Sequence, residues 1–177
     1  MRDLYIIPEC FVDTSLVESL LDTEGVNHQK GCNMVAGLMN GKYCDGFAVG
    51  VIDFDKKRHP YMNDFTELAS SEHLMLMRHK SRSHYAIFVK PAMDGFILSQ
   101  VTLAGLNLVD YGLPSDLKAF TRVTKTITTQ TDPRFKKLFN DLKGCREIVI
   151  FRQALSHLKE NRFTSSDEEL KRIFCQE

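Results

Sequence analysis

Apolar residues come in short unbroken runs in the first half of this chain and at helical spacing in much of the rest. Residues 47–52 (FAVGVI) contain no polar side chain, the pattern of a strand covered on both faces, as in a parallel sheet wrapped by helices. The run 4–7 (LYII) reads as a shorter strand. Pro8 behind it lacks a ladder N–H, so that strand ends there or lies at an edge. Segments 73–79 (HLMLMRH) and 84–90 (HYAIFVK) are two further strands with a polar connection between them.

Helical spacing begins in DTSLVESLLD, where Leu16, Val17, Leu20 and Leu21 share a face. Ser15 with Glu18 has the capping-box pattern, which predicts a helix start near Thr14 or Ser15. GCNMVAGLMNG repeats the face with Met34, Val35, Leu38 and Met39. MDGFILSQVTLAGL places Met93, Phe96, Ile97, Gln100, Val101 and Ala104 together, with Gln100 the polar interruption. In DPRFKKLFNDLKG, Asp132 is the N-cap, Pro133 the first helical residue, and Phe135, Leu138, Phe139 and Leu142 the inner face, with Gly144 as the stop. A helix over residues 146–160 and a capping box from Ser166 to Glu169 complete the series. This order predicts an α/β fold: a mainly parallel sheet flanked by helices over residues 1–112, with a helical C-terminal extension, residues 113–177, packed on it.

Composition narrows the picture only slightly. A length of 177 residues with 43% hydrophobic content suits one domain with an appended helical piece. Lys+Arg and Asp+Glu are both 23, so net charge singles out neither nucleic acid nor membrane, and any such role rests on local patches. The five cysteines (Cys10, Cys32, Cys44, Cys145, Cys175) include no CxxC pair, which argues against a zinc site or a disulfide framework. They read as small core residues, with Cys10, beside acidic residues, the one open to redox chemistry. No signal-like start and no apolar run of roughly 18 residues occurs, so the expectation is a cytoplasmic chain with no membrane partner. The oligomeric state is left open.

Candidate chemistry gathers at predicted strand ends. In an α/β sheet these share one rim, where ligands bind. Glu9 closes the first strand, Asp53 and Asp55 close the central one, and Asp94 stands just past the strand at 84–90. Carboxylates crowded on one rim repel each other unless a cation neutralises them. An all-oxygen donor set favours Mg²⁺ or Mn²⁺ over zinc. Lys56, Lys57, Arg58 and His59 follow the acids directly and could bind flanking phosphates, as could His28 and Lys30. Each feature also has a plain structural reading. A D-x-D pair can be a loop or cap, Asp13 an N-cap, KKRH and RHKSRSH (78–84) solvated turns, and the methionines Met34, Met39, Met75, Met77 and Met93 packing. For RHKSRSH the alternative is a nucleic-acid edge.

Glu9-Cys10-Phe11-Val12-Asp13, with its two acids four apart, followed by Asp53-Phe54-Asp55 after FAVGVI, resembles the TOPRIM domain of topoisomerases, primases and overcoming-lysogenization-defect nucleases. KPAMDGFIL, with Pro91, Asp94, Phe96, Ile97 and Leu98, is similar to a segment of small TOPRIM-like phage-defence proteins of the RloB type. The likeness covers residues 4–106. It implies a nuclease in which Glu9 serves acid–base chemistry or metal binding, Asp53, Asp55 and Asp94 hold Mg²⁺, and Asp13 supports them. It also implies a DNA or RNA substrate and an ATPase partner, since this chain has no Walker motif. The family glycine after the glutamate is Cys10 here. No tyrosine stands in a topoisomerase-like context, which leaves nuclease as the reading. Two alternatives stand beside it. CFVDTSLVESLL resembles the opening of PIN-like ribonucleases, with Asp13 as lead ligand. A non-catalytic interaction or adaptor protein could keep the same scaffold.

Overall fold

The computed structural model describes residues 2–54 and 59–175. Five strands of these described residues form one mixed sheet in the order β1-β2-β5-β4-β3: β1 (Ile6–Pro8), β2 (Ala48–Asp53), β3 (Phe65–Ser70), β4 (Leu74–His79) and β5 (His84–Val89). β1, β2 and β5 run parallel, whereas β4 is antiparallel to both β5 and β3. The sheet is therefore mixed rather than mainly parallel. FTELAS, which becomes β3, gave no strand pattern because Thr66 and Glu67 are exposed on an edge, and a bulge between Glu67 and Ala69 breaks its alternation.

Pro8 is accommodated by geometry. Asn27 and Gln29 donate their N–H groups to the carbonyls of Ile6 (2.9 Å) and Pro8 (3.0 Å) along the outer side of β1. A residue's N–H and C=O point to the same side of a strand, so the donor that Pro8 lacks faces this flanking segment. The ladder to β2 loses nothing.

Among the described residues, seven α-helices surround the sheet: α1 (Phe11–Leu21), α2 (Cys32–Asn40), α3 (Met93–Leu103), α4 (Leu117–Thr124), α5 (Pro133–Asp141), α6 (Arg146–Asn161) and α7 (Asp167–Phe174). Alternation along β2 sorts the core. Val49 and Val51 join Ile87, Leu16, Phe96, Phe135, Phe139 and Phe151 in one apolar cluster beneath α1, α3, α5 and α6. Ala48 and Ile52 join Ala86, Phe88, Val35 and Met39 on the opposite face, beneath α2. The strand is buried on both faces, and each fully buried large side chain contributes roughly 1.5–3 kcal/mol of transfer free energy.

Several local expectations are corrected. α1 starts at Phe11, not near Thr14 or Ser15: Cys10 is its N-cap, Ser15 is buried, and Glu18 accepts the N–H groups of Gly25 (2.7 Å) and Val26 (3.3 Å) instead of capping. Met34 is 55% exposed, and Ala36 takes the inward position on α2. Helix α5 ends at Asp141, before the predicted Gly144 stop. The RHKSRSH segment is more than a solvated turn, because His79 and His84 are both buried.

Candidate functional site

The parallel run of β1, β2 and β5 puts their carboxyl ends on one rim, and the predicted acids follow. Glu9 comes directly after β1 and is only 1% exposed. Its Oε2 accepts the backbone N–H of Asp53 at 3.1 Å, so the two acids, distant in sequence, meet at the end of β2. The Glu9 carbonyl accepts the N–H of Gly31 at 3.1 Å, which brings the exposed Lys30 to the same rim. Asp53 is half-buried, and its Oδ1 accepts the N–H of Met93 at 2.9 Å. Met93 is the first residue of α3, whose N-cap position is Ala92 and has no side-chain cap. Asp53 thus supplies across the chain the acceptor that the helix lacks locally.

Asp13 lies inside α1, at its third position, and is not ahead of the helix. Its Oδ2 accepts the Cys10 N–H at 3.1 Å and its Oδ1 the Cys10 thiol at 2.9 Å. Thr14 Oγ1 donates to the Cys10 carbonyl at 2.7 Å and meets His28 Nδ1 at 3.0 Å, while the His28 ring stacks on Phe11 with centroids 4.3 Å apart. His28 is therefore a half-buried packing residue, and burial is the main cause of its lowered pKa. Burial, then the Asp13 charge and more weakly the Asp53 charge, push the Cys10 thiol far above its ordinary value. Cys10 is a protonated cap, which corrects the expectation of a redox-sensitive thiol.

Asp94, the second residue of α3, follows the Met93 amide that binds Asp53. Its Oδ1 is buried and has no hydrogen-bond partner among the described residues. Glu9 and Asp53 thus meet at this rim, and Asp94 is the residue that follows the amide bound by Asp53. Asp55, Lys56, Lys57 and Arg58 lie outside the described residues. His59 stands with His79 and Arg82, which belong to the other end of the sheet, and so takes no part at the acidic rim.

The amino ends of α1 and α3 both point at this rim, and their amides and dipoles favour negative charge there. Part of the carboxylate repulsion is therefore met by the protein itself. Among the described residues no three of His, Cys, Asp and Glu converge closely enough to hold a metal ion. Two features nevertheless fit a hard divalent cation: the donor atoms are all oxygen, and Asp94 Oδ1 is an orphaned buried acceptor. The chain matches no family model, no curated protein and no solved structure. Sequence reasoning missed the Met93 amide, the Cys10 cap and Gly31. The absence of Ser, Thr, Asp or Asn before α3 was the one available sign that its cap comes from elsewhere.

Proposed function

We propose that this chain is a Mg²⁺- or Mn²⁺-dependent nuclease that hydrolyses phosphodiesters of DNA or RNA, built on a TOPRIM-like core and acting in phage defence beside an ATPase partner. The observation that carries the reading is the Glu9 carboxylate seated on the Asp53 amide at the shared rim of β1 and β2. The resemblance to TOPRIM proteins supplies the substrate class and the partner.

A bound divalent ion would polarise the scissile phosphate and acidify a water. Asp53, fixed through Oδ1 on the Met93 amide, and Asp94, through its orphaned Oδ1, would hold that ion together with Asp55. Glu9 is held in place by the Asp53 N–H, so its carboxylate can orient the attacking water and take its proton. Lys56, Lys57, Arg58 and Lys30 would bind the flanking strand. The protonated Cys10 thiol offers no competing nucleophile.

The non-catalytic reading draws on a specific observation as well. Asp53 and Asp13 both serve helix starts, which a scaffold needs without any chemistry. The PIN-like reading is less well supported, because the carboxylate it would use as lead ligand, Asp13, is engaged by Cys10 through both oxygens.

Asp53→Asn separates enzyme from scaffold. An asparagine Oδ1 still accepts the Met93 N–H, so the fold is kept while the charge is lost. The expected outcome is loss of Mn²⁺ binding by calorimetry and of Mn²⁺-dependent cleavage of plasmid or RNA, with an unchanged melting curve. A wild-type protein that neither binds Mn²⁺ nor cleaves, or a variant that cleaves as well as the wild type, refutes the nuclease.

A further inference from the structure

At the end of the sheet opposite the acids, an ordered chain of hydrogen bonds fixes the state of several titratable groups. His84 is fully buried, and its Nε2 lies 2.8 Å from the carbonyl of Tyr43, which can only accept. The proton of His84 is therefore on Nε2, and its Nδ1 accepts the Tyr61 hydroxyl at 2.5 Å. The Tyr61 oxygen then accepts from Arg82 Nη1 at 3.4 Å, and the same nitrogen donates to Asn40 Oδ1 at 2.9 Å. The guanidinium lies over the Tyr61 ring, 5.5 Å from its centroid. Arg82 is thus a half-buried cation held on an aromatic face by a chain that ends in the core.

Two more imidazoles are set the same way. His79 Nδ1 accepts the N–H groups of Ser81 and Arg82, each at 3.1 Å, and His59 Nδ1 accepts that of Tyr61 at 3.2 Å. A neutral imidazole that accepts at Nδ1 carries its proton at Nε2. Both Nε2–H groups lack a partner among the described residues, and both residues line the same cavity as Arg82, about 580 Å³ in volume. Lys80 and Asp64 also line it, so two permanent cations face one carboxylate. Donors thus come from three places: the residue ahead of the 3-10 turn at Pro60–Asp64, the end of β4, and the β4–β5 turn.

We propose that this cavity is a phosphate-binding site, in which Arg82, His79 and His59 donate N–H groups to a phosphoryl group, free or carried on a nucleotide. A tetrahedral anion can accept from several directions, which suits donors arriving from separate elements. The volume lies in the range of small-ligand pockets and exceeds what phosphate alone needs. The site is independent of the acidic rim and of the nuclease reading.

The test is a titration of the whole protein in chelator, which removes any metal-dependent binding at the rim. The probes are inorganic phosphate, adenosine monophosphate and a short single-stranded oligonucleotide, followed by amide shifts in NMR. Saturable shifts are expected at His79, Ser81 and Arg82. Arg82→Gln and His59→Gln should each weaken binding by about tenfold or more, the scale of one charge-assisted or buried hydrogen bond. His59 is peripheral enough that its variant keeps the proposal testable should Arg82→Gln unfold the turn. Equal affinity for phosphate and the nucleotide identifies the phosphoryl group alone as the ligand. Tighter nucleotide binding adds the nucleoside, and tighter oligonucleotide binding with steep salt dependence identifies a nucleic-acid backbone. Absence of saturable shifts with all three probes, or equal affinity in wild type and both variants, overturns the site.

Discussion

Asp13 closes the first turn of α1 from inside the helix, with one carboxylate oxygen on the Cys10 N–H and the other on its thiol. Cysteine is a poor N-cap because its sulfur is a weak acceptor, so the backbone donor at this turn depends on the carboxylate. Asp13→Ala leaves that N–H without its acceptor in a half-buried place. The expected loss is about 1–2 kcal/mol, read as a lower urea midpoint with an unchanged slope. Asp13→Asn keeps an oxygen within reach and should cost less. If the alanine variant is as stable as the wild type, α1 is held by Thr14 and its packing alone. This residue also shows why the site was only partly legible. The spacing of Glu9 and Asp13 is plain in the sequence, yet it cannot say that Glu9 turns toward Asp53 while Asp13 turns back on its own helix. That division is set by the third dimension, through the register that places Pro8 against Val51.

Among elements, the union of α2 with β2 shows what an apolar run does and does not reveal. FAVGVI announces a strand buried on both faces, and β2 is one. The glycine within it carries further information: a Cβ at Gly50 would lie 3.0 Å from Met39 Sδ and 3.0 Å from Val35 Cγ1. α2 therefore rests directly on the bare backbone of the strand. Gly50→Val forces branched carbons against the stiff Val35 and should destabilise by about 1–3 kcal/mol. Gly50→Ala should do less, because the end of Met39 can give way. Thermal melts of the pair check this, and a valine variant with wild-type stability would contradict the close approach. Elements whose inner faces are largely apolar, such as β5, α3, α5 and α6, were readable because burial and periodicity coincide there. β3 and α4 were not. β3 is a largely exposed edge, and α4 buries only Phe120 and Thr124 in eight residues. The one-sided pattern that makes an element visible in sequence is faint where little of it is covered.

Across the whole molecule the two ends of the sheet have opposite chemistry: carboxylates and helix amino ends at the rim of β1 and β2, imidazoles with Arg82 and Lys80 at the other. The second end makes the fold acid-sensitive in a defined window. His79 and His84 face each other with ring centroids 6.0 Å apart. Both have pKa values below the ordinary 6.5, chiefly through burial. The Arg82 charge lowers each further, with Lys80 adding at His79; Asp64 opposes this at His79, and the Tyr43 carbonyl opposes it at His84. His28 behaves alike, chiefly through burial. In the unfolded chain all three take up protons near 6.5, while the folded chain resists them. Between the folded and unfolded values the unfolded state binds more protons, so stability rises with pH there. The contribution is full above 6.5 and is lost as pH falls through the depressed folded values. A separate loss follows at lower pH. Burial works to raise the Asp3 carboxyl, but Lys159, Thr23 and Tyr5 outweigh it and hold it below 3.8, so its contribution is present above that value and disappears only in stronger acid. Urea midpoints measured from about pH 8 down to pH 5 should therefore be level at first and then fall. Imidazole NMR titrations should place the His79 and His84 midpoints below 6.5 in the folded protein. Phosphate seated on His79 and Arg82 would stabilise the folded state at every pH and raise the His79 value, which softens the acid fall. A midpoint that stays level to pH 5 would show that these imidazoles protonate in place, and the closed network from Arg82 to Tyr43 would have to be abandoned.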